Sequence, residues 1–538
     1  MVRVQQLKLP IHHTEADLTA RLIKKLGIKE DALLSYVIRK QSVDARKKPE
    51  LFYVYTIDAT VKREKSLKGK RGRKDLLFLD PEHPYQIHVS GSSRLSERPV
   101  VIGTGPAGLF CGLELAKLGY QPLLLERGAS VEERLEDVDR FWETGILNPS
   151  SNVQFGEGGA GTFSDGKLNT MVHDSAGRGR YVLETFVKFG APKEILYQNK
   201  PHIGTDVLVE VVKNMRRQIL AWGGEIRFHS QVTDLKLSSS QELLGLVVTD
   251  PRTGKSEEIA ARIAVLAVGH SARDTFSMLM EQGVPMHAKA FATGVRIEHP
   301  QSMVNLSQYG KESVEGLGAA AYKLTANLPS GRGVYTFCMC PGGFVVASSS
   351  EENTVVTNGM SEYARDGENA NSALVVSVDA ADYGAGPLAG MAFQRKLERG
   401  AFLLGGSDYR APAQSVKSFL EGSAPDLSKA SVTPTYSCGV KEAALRELFP
   451  QQVNRMLEEG LRRFNHKLPG FADADAVMTG AETRTSSPVR ITRSPESLQA
   501  LGIEGLYPCG EGAGYAGGIM SAAVDGVRVA EKIMEIYG

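Results

Sequence analysis

Three glycines, Gly103, Gly105 and Gly108, stand between the apolar run Val100-Val101-Ile102 and a helical pattern that opens at Pro106-Ala107. That spacing suits a phosphate. Gly103 permits a tight strand-to-helix turn, Gly105 lets backbone amides approach a pyrophosphate, and Gly108 lets the helix lie close on its strand. The anion then rests on the positive end of the helix dipole. A second apolar run, Leu123-Leu124-Leu125, ends at Glu126-Arg127, where a carboxylate is placed to accept hydrogen bonds from a ribose diol. Strand, turn, helix, second strand and terminal acid together predict a dinucleotide-binding unit, which the glycine triplet alone would not. The alternative is a glycine-rich turn in an ordinary α/β domain.

Three further segments bear on which dinucleotide. Ile263 to Val268 is a strand-like run that ends in Gly269. Leu506-Tyr507-Pro508-Cys509 runs into Gly510-Glu511-Gly512 and then Gly517-Gly518-Ile519, where a helix begins; its Ala523, Val527, Ala530 and Met534 fall on one face. The stretch from Gln154 to Lys167 holds Gly159, Gly161 and Thr162. It is a loop rich in glycine and hydroxyls that wraps a planar ring and its phosphates, or else a surface loop. A nicotinamide dinucleotide domain does not ordinarily return to its cofactor through a Gly-Glu-helix segment so far downstream. FAD, long and extended, needs such distant contacts, and FAD is the expected cofactor.

The segments at 263–269 and 506–519 resemble the nucleotide and flavin contacts of the glutathione-reductase-like, two-dinucleotide-fold FAD superfamily, although Val268 stands where threonine is common there. More closely, the chain resembles an uncharacterised bacterial family of FAD-dependent dehydrogenases with an extra N-terminal domain. That match rests on Gly158-Gly-Ala-Gly-Thr-Phe-Ser-Asp-Gly-Lys167, Arg296-Ile-Glu-His-Pro300, Phe337-Cys-Met-Cys-Pro-Gly-Gly343, Asn358-Gly-Met-Ser361 and Glu482-Thr-Arg-Thr-Ser486. The resemblance implies FAD binding and redox chemistry and names no substrate. It implies that Glu511 takes a ribityl hydroxyl, that the helix after Gly518 aims its N-terminus at the flavin or pyrophosphate, and that Val232 pairs its backbone with the adenine.

Other reactive groups allow more than one reading. Lys167 suits the pyrimidine edge of a flavin, where a cation stabilises the reduced anion; a phosphate contact or simple solvation is the alternative. Cys338 and Cys340 alternate on a strand and share a face. Packing is their first reading and redox partnership with the flavin the second, because adjacent-but-one cysteines make a strained disulfide. Arg484 contacts flavin or an acidic substrate, or pairs with Glu482. His299, next to Pro300, reads as structural. No catalytic residue is assigned, and no Cys or His set stands at zinc spacing.

The chain of 538 residues is 42% hydrophobic and 23% charged, with five cysteines and a formal net charge of +1. Such a balance gives no global field to recruit nucleic acid or membrane, and five cysteines make no disulfide framework. No apolar run approaches the roughly 20 residues of a membrane span, and Met1 to Pro10 is no signal peptide, so a cytoplasmic location is expected.

The expected architecture is α/β. Residues 1–95 form a small N-terminal domain, ferredoxin-like, with strands at Val2–Leu9, Leu33–Arg39 and Leu51–Ile57 and a helix at Thr14–Leu26. Residues 96–290 form the first part of a discontinuous Rossmann-like FAD-binding domain. Residues 291–471 are an inserted mixed α+β cap, and 472–538 complete the FAD domain. The basic run from Val61 to Lys74 carries eight lysines and arginines without aromatics, and reads as a solvated linker before it reads as an RNA contact. The function expected is hydride transfer through the flavin to or from a small-molecule substrate, with NAD(P)H docking transiently if at all. The alternatives are a flavin-dependent RNA-modifying protein, or a non-enzymatic FAD-binding sensor or scaffold.

Overall fold

Burial in the computed structural model, which describes residues 1–538 apart from 65–66, 68–74, 81–83 and 171–173, divides the chain among several apolar cores. The first is N-terminal. Val2, Val4, Leu7 and Leu9 turn inward from the strand Val2–Pro10, and Leu18, Leu22 and Leu26 of the helix Glu15–Leu26 cover them. Thr14 caps that helix and Asp17 answers it in a capping box, as its sequence position suggests. The sheet is antiparallel, in the order Leu33–Lys47, Glu50–Val61, Val2–Pro10, Leu76–Phe78. This is the ferredoxin-like order, in which the helix crossover leaves a slot that a later strand fills. Two strands are longer than expected because they continue as a hairpin turning at Lys48-Pro49. The hairpin docks on the rest of the chain: Gln41 exchanges backbone hydrogen bonds with Tyr197 and Asn199, and the Tyr53 hydroxyl donates to the Gly316 carbonyl. Most of the basic run at 61–74 lies outside the described residues.

The second layer is a five-stranded parallel sheet in the order Leu506–Pro508, Ala264–Leu266, Val100–Ile102, Leu123–Leu125, Glu225–Arg227. Its three central strands are buried throughout, which is why they read as unbroken apolar runs. The last strand of the chain joins this sheet beside residues 264–266, so the fold closes through a contact about 240 residues apart in sequence. Helices Pro106–Lys117, Thr205–Ala221 and Ile519–Ile536 share the core on one face. A three-stranded meander, Gln231–Leu237, Leu243–Thr249 and Ser256–Ala260, lies alongside.

The third layer is a seven-stranded, largely antiparallel sheet. Phe291–Pro300 and Asn369–Val378 pair along ten residues at its centre, backed by the amphipathic helices Ala389–Leu404 and Gln451–Lys467. Val477–Glu482 pairs with both Phe291–Pro300 and Ala411–Ser415. A boundary at 471/472 therefore cuts through this sheet. Residues 477–482 stay with the cap because their backbone hydrogen bonds are made there. Among the described residues no helix is long and apolar enough to cross a membrane.

Candidate cofactor site

Gly103 leaves the strand Val100–Ile102 at φ +99°, and an added Cβ would stand 2.4 Å from the Ala267 carbonyl oxygen, so only glycine makes this turn. At Gly108 the same test gives 1.9 Å from the Gly103 oxygen: helix Pro106–Lys117 starts pressed onto its own strand. Gly105 caps the helix without a side chain and Pro106 follows at the first helical position, leaving the next amides free to receive an anion.

A second helix end meets the first. Ile519–Ile536 also starts from glycine, Gly518, with no side-chain cap, and nothing lies within 4 Å of where a Cβ at Gly517 or Gly518 would be. The two helices touch so closely that a Cβ at Gly526 would stand 2.1 Å from the Ala107 oxygen. The glycine loop bridges their starts. Gly159 lies against Gly105, and Gly161 against Ile519. Gly510 meets Ala107, and Gly512 meets the backbone of Gly269. Segments near 105, 160, 269, 511 and 518 thus converge on one place. Beside it a small cleft of about 40 Å³ is lined by Gly103, Glu126, Arg127, Gln154 and Val232.

Two charged groups that the sequence left unremarked make this arrangement rigid. Arg134, on the helix Val131–Thr144, is wholly buried and donates to the carbonyls of Asn152, Val153, Gly156, Glu157 and Gly159. With no carboxylate among the described residues hydrogen-bonded to it, burial lowers this guanidinium to about 10. The glycine loop is therefore a fixed structure over a buried cation and not a mobile surface loop. Asp525 accepts from Gly510 N at 2.9 Å and pairs bidentately with Arg493, which holds the Gly-Glu turn against the last helix. Neither residue differs in sequence from an ordinary solvated charge, so no local signal could have marked them.

Glu126 is buried and lines the cleft, but its carboxylate already has four donors from the chain: Thr104 N and Oγ1 on one oxygen, Gly128 N and Gly156 N on the other. A ribose diol reaches it only by sharing or displacing one of these. Glu126 thus ties the glycine loop to the fingerprint turn. Glu126→Ala leaves several buried amides unpaired and should cost at least about 2 kcal/mol of stability even without cofactor, read from denaturant unfolding; an unchanged midpoint would remove this role. Arg127 pairs bidentately with Asp274 and covers the Phe155 ring. Val232 is buried at the meander, lining the same cleft. Glu511 meets His270 Nδ1 at 3.2 Å.

At the other end of the glycine loop stands Lys167. Its Nζ lies 3.4 Å from Asp165 and, though buried, makes no hydrogen bond. Burial opposes ionisation of Asp165, but Lys167 and Arg365 outweigh it and hold the acid below the usual carboxylate range. Thr162 Oγ1 is a second buried polar atom left without a partner on this loop. Two uncapped helix ends, open glycine faces and unpaired polar atoms are the donor set a dinucleotide diphosphate and its ring require, and these residues fit FAD.

One expectation is corrected. Arg484 does not pair with Glu482. It is buried on Glu398, together with Arg273. Glu482 instead takes Arg296, at 2.8 and 3.1 Å. The strand Val477–Glu482 ends at Glu482, so Arg484 lies beyond it and the shared face that i, i+2 spacing gives on a strand no longer applies. His299 is structural, as read: Nε2 faces the Phe471 carbonyl at 2.8 Å, and burial lowers the ring to about 4. A depressed histidine binds fewer protons folded than unfolded, so its stabilisation holds above about pH 6.5 and is lost as pH falls toward 4. Wild-type protein should lose about 3 kcal/mol more across that window than His299→Gln, measured by denaturant titration at each pH; parallel curves would refute it.

This fold and site define a FAD-dependent protein of the α/β class. Residues 290–485 match the family described as FAD-dependent protein, C-terminal domain-like, and residues 1–60 match a domain of unknown function. The chain belongs to one family with a Clostridium beijerinckii protein named only "Uncharacterized protein", 46% identical over 539 residues that cover 100% of this chain and 99% of the other. Among solved structures, CmlS, a flavin-dependent halogenase, is similar at 15% identity with a TM-score of 0.36, over 82% of this chain and 59% of its own. The quinol fumarate reductase FrdA of E. coli is similar at 13% and 0.35, over 81% and 69%. Likenesses this distant carry no argument about chemistry.

Proposed function

We propose that this protein is an FAD-dependent oxidoreductase of the glutathione-reductase-like class. It exchanges hydride with a small-molecule substrate held between the parallel-sheet domain and the cap. The observation that supports this best is the convergence of five segments, from Gly105 to Gly518, on two bare helix N-termini. In this reading the first helix and Gly159 take the pyrophosphate, Val232 and Glu126 flank the adenosine, and Glu511, Gly517, Gly518 and Lys167 lie along the ribityl chain and ring. When bound, the flavin supplies two-electron, hydride-level chemistry. The chain supplies position: Arg134 and Asp525 fix the loops, and the cap sheet excludes water. Burial, then the charges of Lys167, Arg365 and Lys323, lower the Lys200 ammonium below the usual lysine range, and this gathering of cations favours an anionic substrate at the cap edge. A nicotinamide donor would dock transiently, and the expected setting is the cytoplasm.

The test begins with the absorbance spectrum of the purified protein, followed by anaerobic mixing with NADH, NADPH and a panel of small carboxylates and thiols. Bound flavin that at least one physiological donor bleaches within catalytic times is the expected result. A protein without flavin would overturn the cofactor assignment. Flavin that no donor bleaches would favour a sensor or scaffold.

A further inference from the structure

Several cations gather where the end of the glycine loop meets the cap. Lys167 and His202 face each other across a short antiparallel bridge, in which Leu168 N donates to Pro201 O at 2.9 Å and Ile203 N to Gly166 O at 3.1 Å. Residues opposed in this way carry their side chains on one face, with Cβ atoms about 4.5–5.5 Å apart. The cap supplies Tyr363, whose ring stacks on that of His202 at 5.3 Å, and Arg365, whose Nε donates to Asp165 at 2.8 Å. Asp165 is buried and serves both Arg365 and Lys167. Lys200 and Lys323 are exposed, and among the described residues their ammonium groups make no ion pair or hydrogen bond.

Two features of this cluster call for a ligand. The charges acting on the Lys200 ammonium are those of Lys167, Arg365 and Lys323, all positive. The single carboxylate of Asp165 does not offset four cations, and a bound oxyanion would relieve their repulsion. The second feature is His202. Its Nε2 lies 3.1 Å from the Tyr363 carbonyl, which only accepts, so Nε2 carries the hydrogen and Nδ1 the lone pair. Burial, then the Arg365 charge, lower this ring below the usual histidine range, and it is neutral at pH 7. Nδ1 is buried and receives no hydrogen bond. A buried acceptor without a donor costs free energy that a ligand O–H would recover. A ligand ammonium could donate as well, but the surrounding cations repel it; a hydroxyl carries no such penalty.

We propose that this cluster binds a small hydroxylated oxyanion, either a hydroxy carboxylate or a polyol phosphate. Lys200 and Lys323 take the oxyanion, and His202 Nδ1 accepts from the hydroxyl beside it. The exposed lysines form the outer rim and half-buried His202 the inner wall, so the ligand enters from solvent past Lys200. Lys167 links the pocket to the cofactor site, because Gly159 and Gly161 of the same loop touch the two helix starts. Lysine ammoniums are point charges that serve carboxylate and phosphate alike, and the hydroxyl contact supplies the selectivity. That this ligand is also the hydride partner rests on the proposed function; its binding does not.

Calorimetric titration of the purified protein tests this with two matched pairs of probes: glycerate against propionate, and glycerol 3-phosphate against propyl phosphate. In at least one pair the hydroxylated member should bind about fivefold tighter or more. The pair that shows this identifies the anion as carboxylate or phosphate. Lys200→Met should weaken both members of that pair by at least about tenfold. His202→Phe keeps the stacked ring and removes the acceptor, so it should abolish the preference for the hydroxyl while the other member binds as before. Circular dichroism checks that each variant is folded. Equal affinity within both pairs, no binding of any probe at millimolar concentration, or a preference that survives in folded His202→Phe overturns the proposal. Binding as described in a protein whose flavin no donor bleaches supports the pocket and refutes the hydride reading. Bleaching by a donor in a protein that binds none of the probes does the reverse.

Discussion

Gly105→Asp gives a folded protein that retains no FAD. Gly105 sits at φ −70°, ψ −178°, a backbone conformation open to any residue, and an added Cβ makes only an ordinary 3.7 Å contact with Gly159. The side chain therefore fits, and as a helix N-cap aspartate in place of glycine it should raise apo stability by roughly 0.3 kcal/mol. The same carboxylate stands where the pyrophosphate is proposed to lie. It occupies the bare amides and repels a like charge at close range, at a cost of at least about 3 kcal/mol, or more than a hundredfold in affinity. Gly103→Ala is the contrasting case: at φ +99° and 2.4 Å from a carbonyl oxygen, its methyl breaks the turn itself. Flavin content per folded protein, with circular dichroism as the fold control, separates the two. Normal loading in Gly105→Asp would displace the pyrophosphate from this helix.

The second large effect lies away from the cofactor. Glu398, on the cap helix Ala389–Leu404, is buried and accepts from Arg273 at 2.8 and 2.8 Å, from Arg484 at 3.1 and 3.0 Å, and from Thr483 Oγ1 at 2.7 Å. Arg273 opens the helix Arg273–Glu281 on the parallel-sheet side, so one carboxylate clamps that side to the cap. Glu398→Gln keeps the shape and removes the charge, leaving two buried guanidiniums with Glu351, among the described residues, as the remaining nearby counter-ion. Breaking a buried pair in this way costs about 3–5 kcal/mol. Thermal unfolding should drop by several degrees, and FAD should dissociate faster as the cap loosens. A variant as stable as wild type would mean the clamp contributes nothing net.

Much of the cofactor site was legible because its demands are local. A turn that admits no Cβ requires glycine at a fixed position, and a parallel strand buried on both faces reads as an apolar run; residues 100–108, 123–126 and 506–519 carried both signals. The glycine loop was legible as composition, though not its rigidity. Cys338 and Cys340 share one strand as their alternation suggests, but the bulge between Phe337 and Cys340, opposite Ala373 and Asn371 of the neighbouring strand, is set by that pairing and not by local spacing.

The chain's own letters determined a tight glycine turn, the strands and helices around it, and the return of the C-terminal segment to the same sheet. These follow from sterics and hydrophobic periodicity within a few residues. Only the tertiary structure decided which charges meet: Arg134 beneath the loop carbonyls, Glu126 on the chain's own amides, Arg296 on Glu482, and Glu398 between two arginines. A buried charge must be neutralised or hydrogen-bonded by whatever the fold brings within about 3 Å. That neighbour comes from packing across distant segments, which no local spacing encodes.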